Sequence, residues 1–288
     1  MCSSDLAGYC EYMYGSARQA AAHVRRALDL AHASGHLTET IPLLNGLAVS
    51  HHHAGCWKEA LETFESALAL ARRIGDDAWA CTITTNISGL MVNVGNRGEA
   101  ISFGTRAVEL ARRVLNQPRS IMAYTNLSCA YLLAGNQSKA LQCLEEGSKL
   151  LNGGGNWEPR ILLYGERASI LIALGNIPEA LQSIALLEKE MDGQSRLGQN
   201  GGCTERLKAF RAKYTVGASF ALDQARDARS RFRDRNLLHY LSVNAAVAWL
   251  EREVDGKESE ETNEGIRLFE PSGMMGLRDF LRLGNFLK

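Results

Sequence analysis

His51, His52 and His53, with Cys56 close behind, are the side chains best suited to metal binding in this 288-residue sequence. On a helix, His52 and Cys56 are four apart and His53 and Cys56 three apart, so either pair shares a face. A transition metal wants three or four such ligands. Consecutive histidines, however, point about 100° apart on a helix, so the three cannot converge. Gly55 is placed to end the helix before Cys56. Packing or groove lining is the expected role of these rings, with no metal and no other cofactor. Other chemistry is equally thin. No G-x-x-x-x-G-K-[ST] loop is present. Gly153-Gly154-Gly155-Asn156 lacks the lysine and reads as a turn. Gly193 and Gly198 follow no strand, which a dinucleotide fingerprint needs, and no G-x-S-x-G occurs. Glu145-Glu146 and Glu260-Glu261 lie in polar stretches and read as solvated. No nucleophile sits beside a base, so no enzyme activity is expected.

Composition narrows the class. Lys+Arg number 32 and Asp+Glu 32, and 45% of residues are hydrophobic. A disordered chain would carry less apolar content and more net charge. Zero net charge gives no global pull toward nucleic acid or anionic lipid. No run approaches the roughly 18 apolar residues of a membrane span. The seven cysteines are odd in number and form no C-x-x-C. Residues 1–15 lack the basic start and apolar core of a signal peptide. Reduced thiols and a cytoplasmic location are therefore expected. Met1–Leu6 resembles a translated frame of a sequencing-library adapter, so residues 1–6 are expected to be non-native and the first repeat truncated.

Spacing supplies the architecture. Gly15, Gly55, Gly95, Gly135 and Gly175 stand 40 apart, as do Ala20, Ala60, Ala100, Ala140 and Ala180. Repeats of this length indicate a solenoid. Leu44, Leu47, Ala48 and His51 follow i, i+3, i+4, i+7, the stripe of an amphipathic helix. Gly55 suits the left-handed end of that helix. Ala60, Leu61, Phe64, Ala67, Leu68 and Ala71 mark a second helix, with Arg72 and Arg73 at the negative end of its dipole. Each unit is thus a pair of helices.

Leu44, Leu47, Ala48, Gly55, Ala60, Phe64 and Ala67 stand at the spacing of the tetratricopeptide repeat, and the chain resembles that family from Ala7 to about Met191. The 40-residue period looks like the long variant in kinesin light chains and large bacterial ATP-binding transcription activators. The resemblance implies an all-α, right-handed superhelical solenoid of antiparallel helix pairs over residues 7–191, five repeats in all. It also implies that the first helix of each pair lines a concave groove. There the implied partner-binding positions are Asn45, Val49, His52 and His53, then Asn86 and Asn93, then Asn126, Cys129 and Leu133, then Glu166 and Ser169. Asn86 and Asn126 lie one period apart. An asparagine both donates and accepts, so it can satisfy a peptide backbone without reading its sequence; bonding to the neighbouring helix is the alternative role. The lysine-rich clamp for C-terminal carboxylates is missing.

Past Met191 the period blurs. Residues 192–202 are Gly-rich and read as a linker; residues 203–288 read as degenerate repeats. Helices are expected near Thr204–Thr215, Ala218–Arg233, Leu237–Glu253 and Asn263–Phe269, with a short closing helix over Leu277–Leu287. Glu205–Arg235 holds nine basic and four acidic residues, and Glu251–Glu270 eight acidic and three basic. These stretches either pair with each other or dock a partner. Only Phe232 interrupts the arginine run as a stacking group, so direct nucleic-acid binding is not expected. The function implied is a non-catalytic scaffold that binds a peptide or partner helix, as the regulatory or sensor part of a larger bacterial signalling or transcription regulator. The alternative is small-ligand sensing that controls an effector domain outside this chain. An apolar pocket near Leu132, Leu133 and Ile172 would favour the ligand; a polar groove around Asn86, Asn93 and Asn126 would favour the peptide.

Overall fold

The computed structural model describes residues 16–34, 37–151, 158–191, 201–233 and 235–287. Met1–Leu6, the helix expected over Ala7–Tyr14, Gly153–Gly155 and most of the 192–202 segment lie outside them. The described residues are helical throughout, with no strand. The helices are α1 Ala17–Ser34, α2 Leu37–His53, α3 Trp57–Ile74, α4 Asp77–Val94, α5 Arg97–Val114, α6 Gln117–Leu133, α7 Gln137–Lys149, α8 Glu158–Ala173 and α9 Ile177–Met191. They continue as α10 Gly201–Thr215, α11 Ala218–Phe232, α12 Leu237–Val254, α13 Glu260–Arg267, α14 Phe269–Ser272 and α15 Met275–Leu283. Among the described residues no helix is long and apolar enough to cross a membrane.

The 40-residue spacing is built into the turns. Gly55, Gly95, Gly135 and Gly175 adopt φ of 82°, 87°, 79° and 76°, which a Cβ disfavours. After Gly95 and Gly135 the next helix starts on a side-chain cap, whereas Cys56 after Gly55 supplies none. Asn96 and Asn136 Oδ1 accept from the backbone N–H of Glu99 and Lys139, each satisfying an orphan donor of the first turn. Asp76 and Asn116 cap α4 and α6 in the same way. At the ends of the second helices, Gly75 has φ 74°, but Leu115, one period later, is forced to φ 48°. Leu115 is 90% exposed, so its side chain returns little for that strain. Leu115→Gly is therefore expected to raise stability by about 0.5–1 kcal/mol, relief of the left-handed penalty exceeding glycine's entropy cost. Urea unfolding measures it; a lower midpoint would refute it.

Small residues set the helix approach. Ala20, Ala60, Ala100, Ala140, Ala180 and Ala221 are each no more than 1% exposed. Gly104 and Gly147 extend the pattern. A Cβ on Gly104 would lie 3.0 Å from both Ser88 Oγ and Leu127 Cδ1, and one on Gly147 3.3 Å from Leu163 Cδ1. Each first helix packs on its own partner and on the first helix of the next unit. Two large cores result. One joins Ile41, Phe64, Ile83, Leu90, Ile121 and Leu163. The other joins Ile184, Leu207, Phe210, Leu241, Phe269 and Phe286.

The C-terminal segment returns to the N-terminal units. α15 packs on α4, α6, α8 and α12, and α12 reaches α2. Phe280 sits in the N-terminal core, and the neighbouring Leu281 in the C-terminal one. The closing helix therefore lies inside the superhelix. The oppositely charged stretches meet as well. Arg226 pairs with Glu251 and Asp255, and Arg229 and Arg233 both pair with Glu261. Burial pushes the Glu251 carboxyl up, but hydrogen bonds from the Ser259 backbone and Arg226 bring it below its ordinary range.

Arg229 is buried and donates to Asn244 Oδ1 (3.2 Å), Thr262 Oγ1 (2.8 Å) and Glu261 Oε2 (2.7 Å). Asn244 is itself fully buried and donates to the Thr262 carbonyl. The Glu261 partner is half-exposed and contributes little by itself. Arg229→Ala still strands Asn244 Oδ1 beside a void, although Thr262 Oγ1 keeps the Ser259 hydroxyl. A loss of about 2–3 kcal/mol is expected. Chemical denaturation of the variant checks this, and a change under 0.5 kcal/mol would contradict it.

Candidate functional site

The first helices α4, α6, α8 and α10 place one register of residues on the inner face: Asn86, Asn126, Glu166 and Arg206, each 40 apart. Arg206 was not among the expected groove residues, although Glu166 plus one period lands on it. These helices, with α12 and α15 as a roof, line a half-open cavity of about 170 Å³. Gly89, Asn93, Asn126, Cys129 and Glu166 line it from the repeats, Cys203 and Arg206 from α10. Leu238, His239, Ser242, Leu277 and Phe280 line it from the roof.

Apart from His52 and His53, the expected groove residues divide into three groups. Asn93, Asn126, Cys129 and Glu166 reach the chamber. Asn86, Asn45 and Ser169 bond along the inner wall. Asn86 Nδ2 donates to Asn45 Oδ1 at 2.8 Å, and Ser169 Oγ donates to the Gly165 carbonyl at 3.0 Å. Asn126 Nδ2 likewise donates to the Thr85 carbonyl at 2.9 Å, so its amide nitrogen bonds the neighbouring helix even while it lines the chamber. Val49 and Leu133 pack into the N-terminal core, as do Leu132 and, on the C-terminal side, Ile172. The chamber's lining thus mixes polar groups around Asn93 and Asn126 with a larger apolar surface that includes Val92, Leu238, Leu277 and Phe280.

The histidines part company. Asn93 Nδ2 donates to His52 Nε2 at 2.9 Å. Asn236 Oδ1 caps α12 by accepting from the His239 backbone N–H, which turns Asn236 Nδ2 toward His53 Nδ1 at 2.9 Å. The His53 ring also meets His239 edge-on, and His239 meets Phe232 in the same way. These rings tie the second repeat to α12. Burial drives His52 down to about 3 and His53 to about 4, so both are neutral at pH 7. Gly55 ends α2, and Cys56 stands at the N-terminal cap of α3. Among the described residues no three potential metal ligands come together.

At the far wall, Cys129 Sγ donates to Glu166 Oε2 at 3.3 Å. Arg206, only 4% exposed, donates to Ser169 Oγ at 3.0 Å and Cys203 Sγ at 3.4 Å. Its carbon Cζ lies 5.0 Å from the centre of the Phe286 ring. Its Nε is buried with no partner. Burial pushes the Glu166 carboxyl up, and pushes both thiols up as well, so neither cysteine is a thiolate at neutral pH.

A solenoid of helical hairpins with a lined inner face is the architecture of a protein-interaction scaffold. Residues 39–113 and 80–152 match the tetratricopeptide repeat family model, and over that stretch the chain is similar to that family. Among solved structures the chain is similar to a Rap protein complexed with competence and sporulation factor. The identity is 14%, the TM-score 0.64, and the match covers 91% of this chain and 75% of that one. Yeast Tom70 aligns at 15% identity and TM-score 0.46, over 93% of this chain and 60% of that one. The TPR2AB domain of yeast Sti1, in its pHSP90 complex, aligns at 16% and 0.34, over 94% and 97%. No curated protein matches the sequence significantly.

Proposed function

We propose that this chain is a non-catalytic interaction scaffold that holds a peptide or partner helix on its inner face, as the sensor or regulatory arm of a larger bacterial signalling or transcription regulator. The observation that carries this reading is the inner register of Asn86, Asn126, Glu166 and Arg206, the last three of which set polar groups into a chamber whose remaining lining is largely apolar. The Rap protein of similar fold is complexed with competence and sporulation factor. Because α15 covers the inner faces of α4, α6 and α8, a partner longer than a residue or two competes with this helix. Selection of a random 12-residue peptide library on the full chain tests the reading. Enriched peptides should bind at least tenfold more weakly to Asn93→Ala. Absence of any enriched binder, or binders indifferent to inner-face substitutions, overturns it. A second reading, small-ligand sensing, is favoured by one observation: the roof of α12 and α15 leaves a chamber of small-molecule size, about 170 Å³.

A further inference from the structure

Two charges face the same chamber and do not meet. Arg206 is 4% exposed and lies deep in the protein, yet no described carboxylate pairs with it. Its bonds go to a hydroxyl and a thiol, and its Nε has none. Glu166, on the same wall of the chamber, takes one hydrogen bond from the Cys129 thiol and forms no ion pair among the described residues. Buried charges are ordinarily paired, because desolvation of each ion costs several kcal/mol. Here the two share one cavity without touching. The opposite wall is apolar, formed by Val92, Leu277 and Phe280.

We propose that the chamber binds a small apolar α-amino acid, its carboxylate on the Arg206 guanidinium and its ammonium on Glu166. A zwitterion satisfies both charges at once, and a short aliphatic side chain fits the apolar wall. The size agrees: a cavity of roughly 150 Å³ accommodates benzene, and about 170 Å³ suits a ligand near the size of valine. The thiols of Cys129 and Cys203 serve as hydrogen-bonding positioning groups for the two charged residues, not as nucleophiles. This assignment rests on the chamber being a ligand site, the second reading above. It is separable from partner binding, since an internal peptide segment presents neither free terminus.

Titration calorimetry of the full chain with three matched probes tests it: L-valine, 3-methylbutanoate (valine without the amino group) and isobutylamine (valine without the carboxylate). L-Valine should bind one to one, and each half-ligand at least tenfold more weakly. Glu166→Gln should weaken valine at least tenfold while changing 3-methylbutanoate less than twofold. Arg206→Met should abolish valine binding. Should that variant fail to fold, the Glu166→Gln contrast alone decides. Three results overturn the proposal: no binding of glycine, alanine, valine or leucine; 3-methylbutanoate binding as tightly as valine; or valine affinity indifferent to both substitutions. Silence toward valine with peptide selection still successful removes the chamber ligand and leaves the scaffold reading standing.

Discussion

Gly276→Ala is expected to destabilise the chain by about 3 kcal/mol or to release α15 altogether. Local reasoning gives the opposite sign. Alanine in a helix is favoured over glycine by about 1 kcal/mol, and Gly276 is the second residue of α15. Packing decides the matter. A Cβ at this position would lie 1.8 Å from the Val92 carbonyl oxygen and 2.4 Å from the Gly95 nitrogen. Both are backbone atoms of the α4 terminus and cannot rotate away. Gly95 is itself held at φ 87° with the Gly276 nitrogen 3.1 Å from its own missing Cβ, so neither strand of chain has room. Relief requires α15 to withdraw, which exposes Phe280 and Leu281, now 7% and 0% exposed. Burying each is worth about 1.5–3 kcal/mol, so withdrawal and overpacking cost similar amounts. Hydrogen exchange separates the outcomes. Faster exchange confined to α15 and the end of α4 indicates release, whereas a lower global midpoint indicates strain. A variant as stable as wild type would show that α15 does not pack on α4 this closely. If α15 does withdraw, the same variant should also bind selected peptides more tightly, because the competing helix is gone.

Much of the fold was legible because its constraints are steric and local. A glycine at a left-handed turn and an alanine at a helix crossing admit few substitutes, so Gly55 to Gly175 and Ala60 to Ala180 write the period directly into the sequence. The C-terminal helices were legible from their apolar stripes, to within a few residues at each end. The chamber was only half legible. Asn93, Asn126, Cys129 and Glu166 follow from the register of the first helices. Arg206 obeys the same register, but the turn glycine after it slips from the expected 215 to Gly217 and the crossing alanine from 220 to Ala221, which hides the continuity. The roof was not legible at all. α15 meets α4 across contacts such as Arg97 to Asp279, 182 residues apart, and no local pattern encodes that pairing. Gly276 reads in sequence as a weak helix residue; only the approach of Val92 and Gly95 explains it. Asn236 was equally opaque, because its cap on α12 is ordinary and its second role depends on His53.

Acidification from pH 7.5 to pH 5 is expected to remove on the order of 4 kcal/mol of stability through His52 and His53. In the unfolded chain both titrate near 6.5. In the folded chain burial holds His52 at about 3 and His53 at about 4. Between those values and 6.5 the unfolded state binds more protons than the folded one, so stability rises with pH across this window. The contribution is complete above about pH 6.5 and is lost as pH falls toward the folded values. Glu166 acts in the opposite sense, since burial raises its carboxyl and protonation there favours the folded state. It is one group against two. Each histidine accepts from an asparagine amide, Asn93 for His52 and Asn236 for His53, and protonation turns those contacts into donor against donor. The loss therefore falls on the joint between the second repeat and α12. Thermal unfolding should show a midpoint lower by about 8 °C at pH 5 than at pH 7.5. The double variant His52→Gln, His53→Asn keeps an acceptor near each used ring nitrogen and cannot take up the proton. Its midpoint should fall by less than half as much. An equal fall in the double variant would assign the acid sensitivity to carboxylates elsewhere and remove the histidine pair from the account.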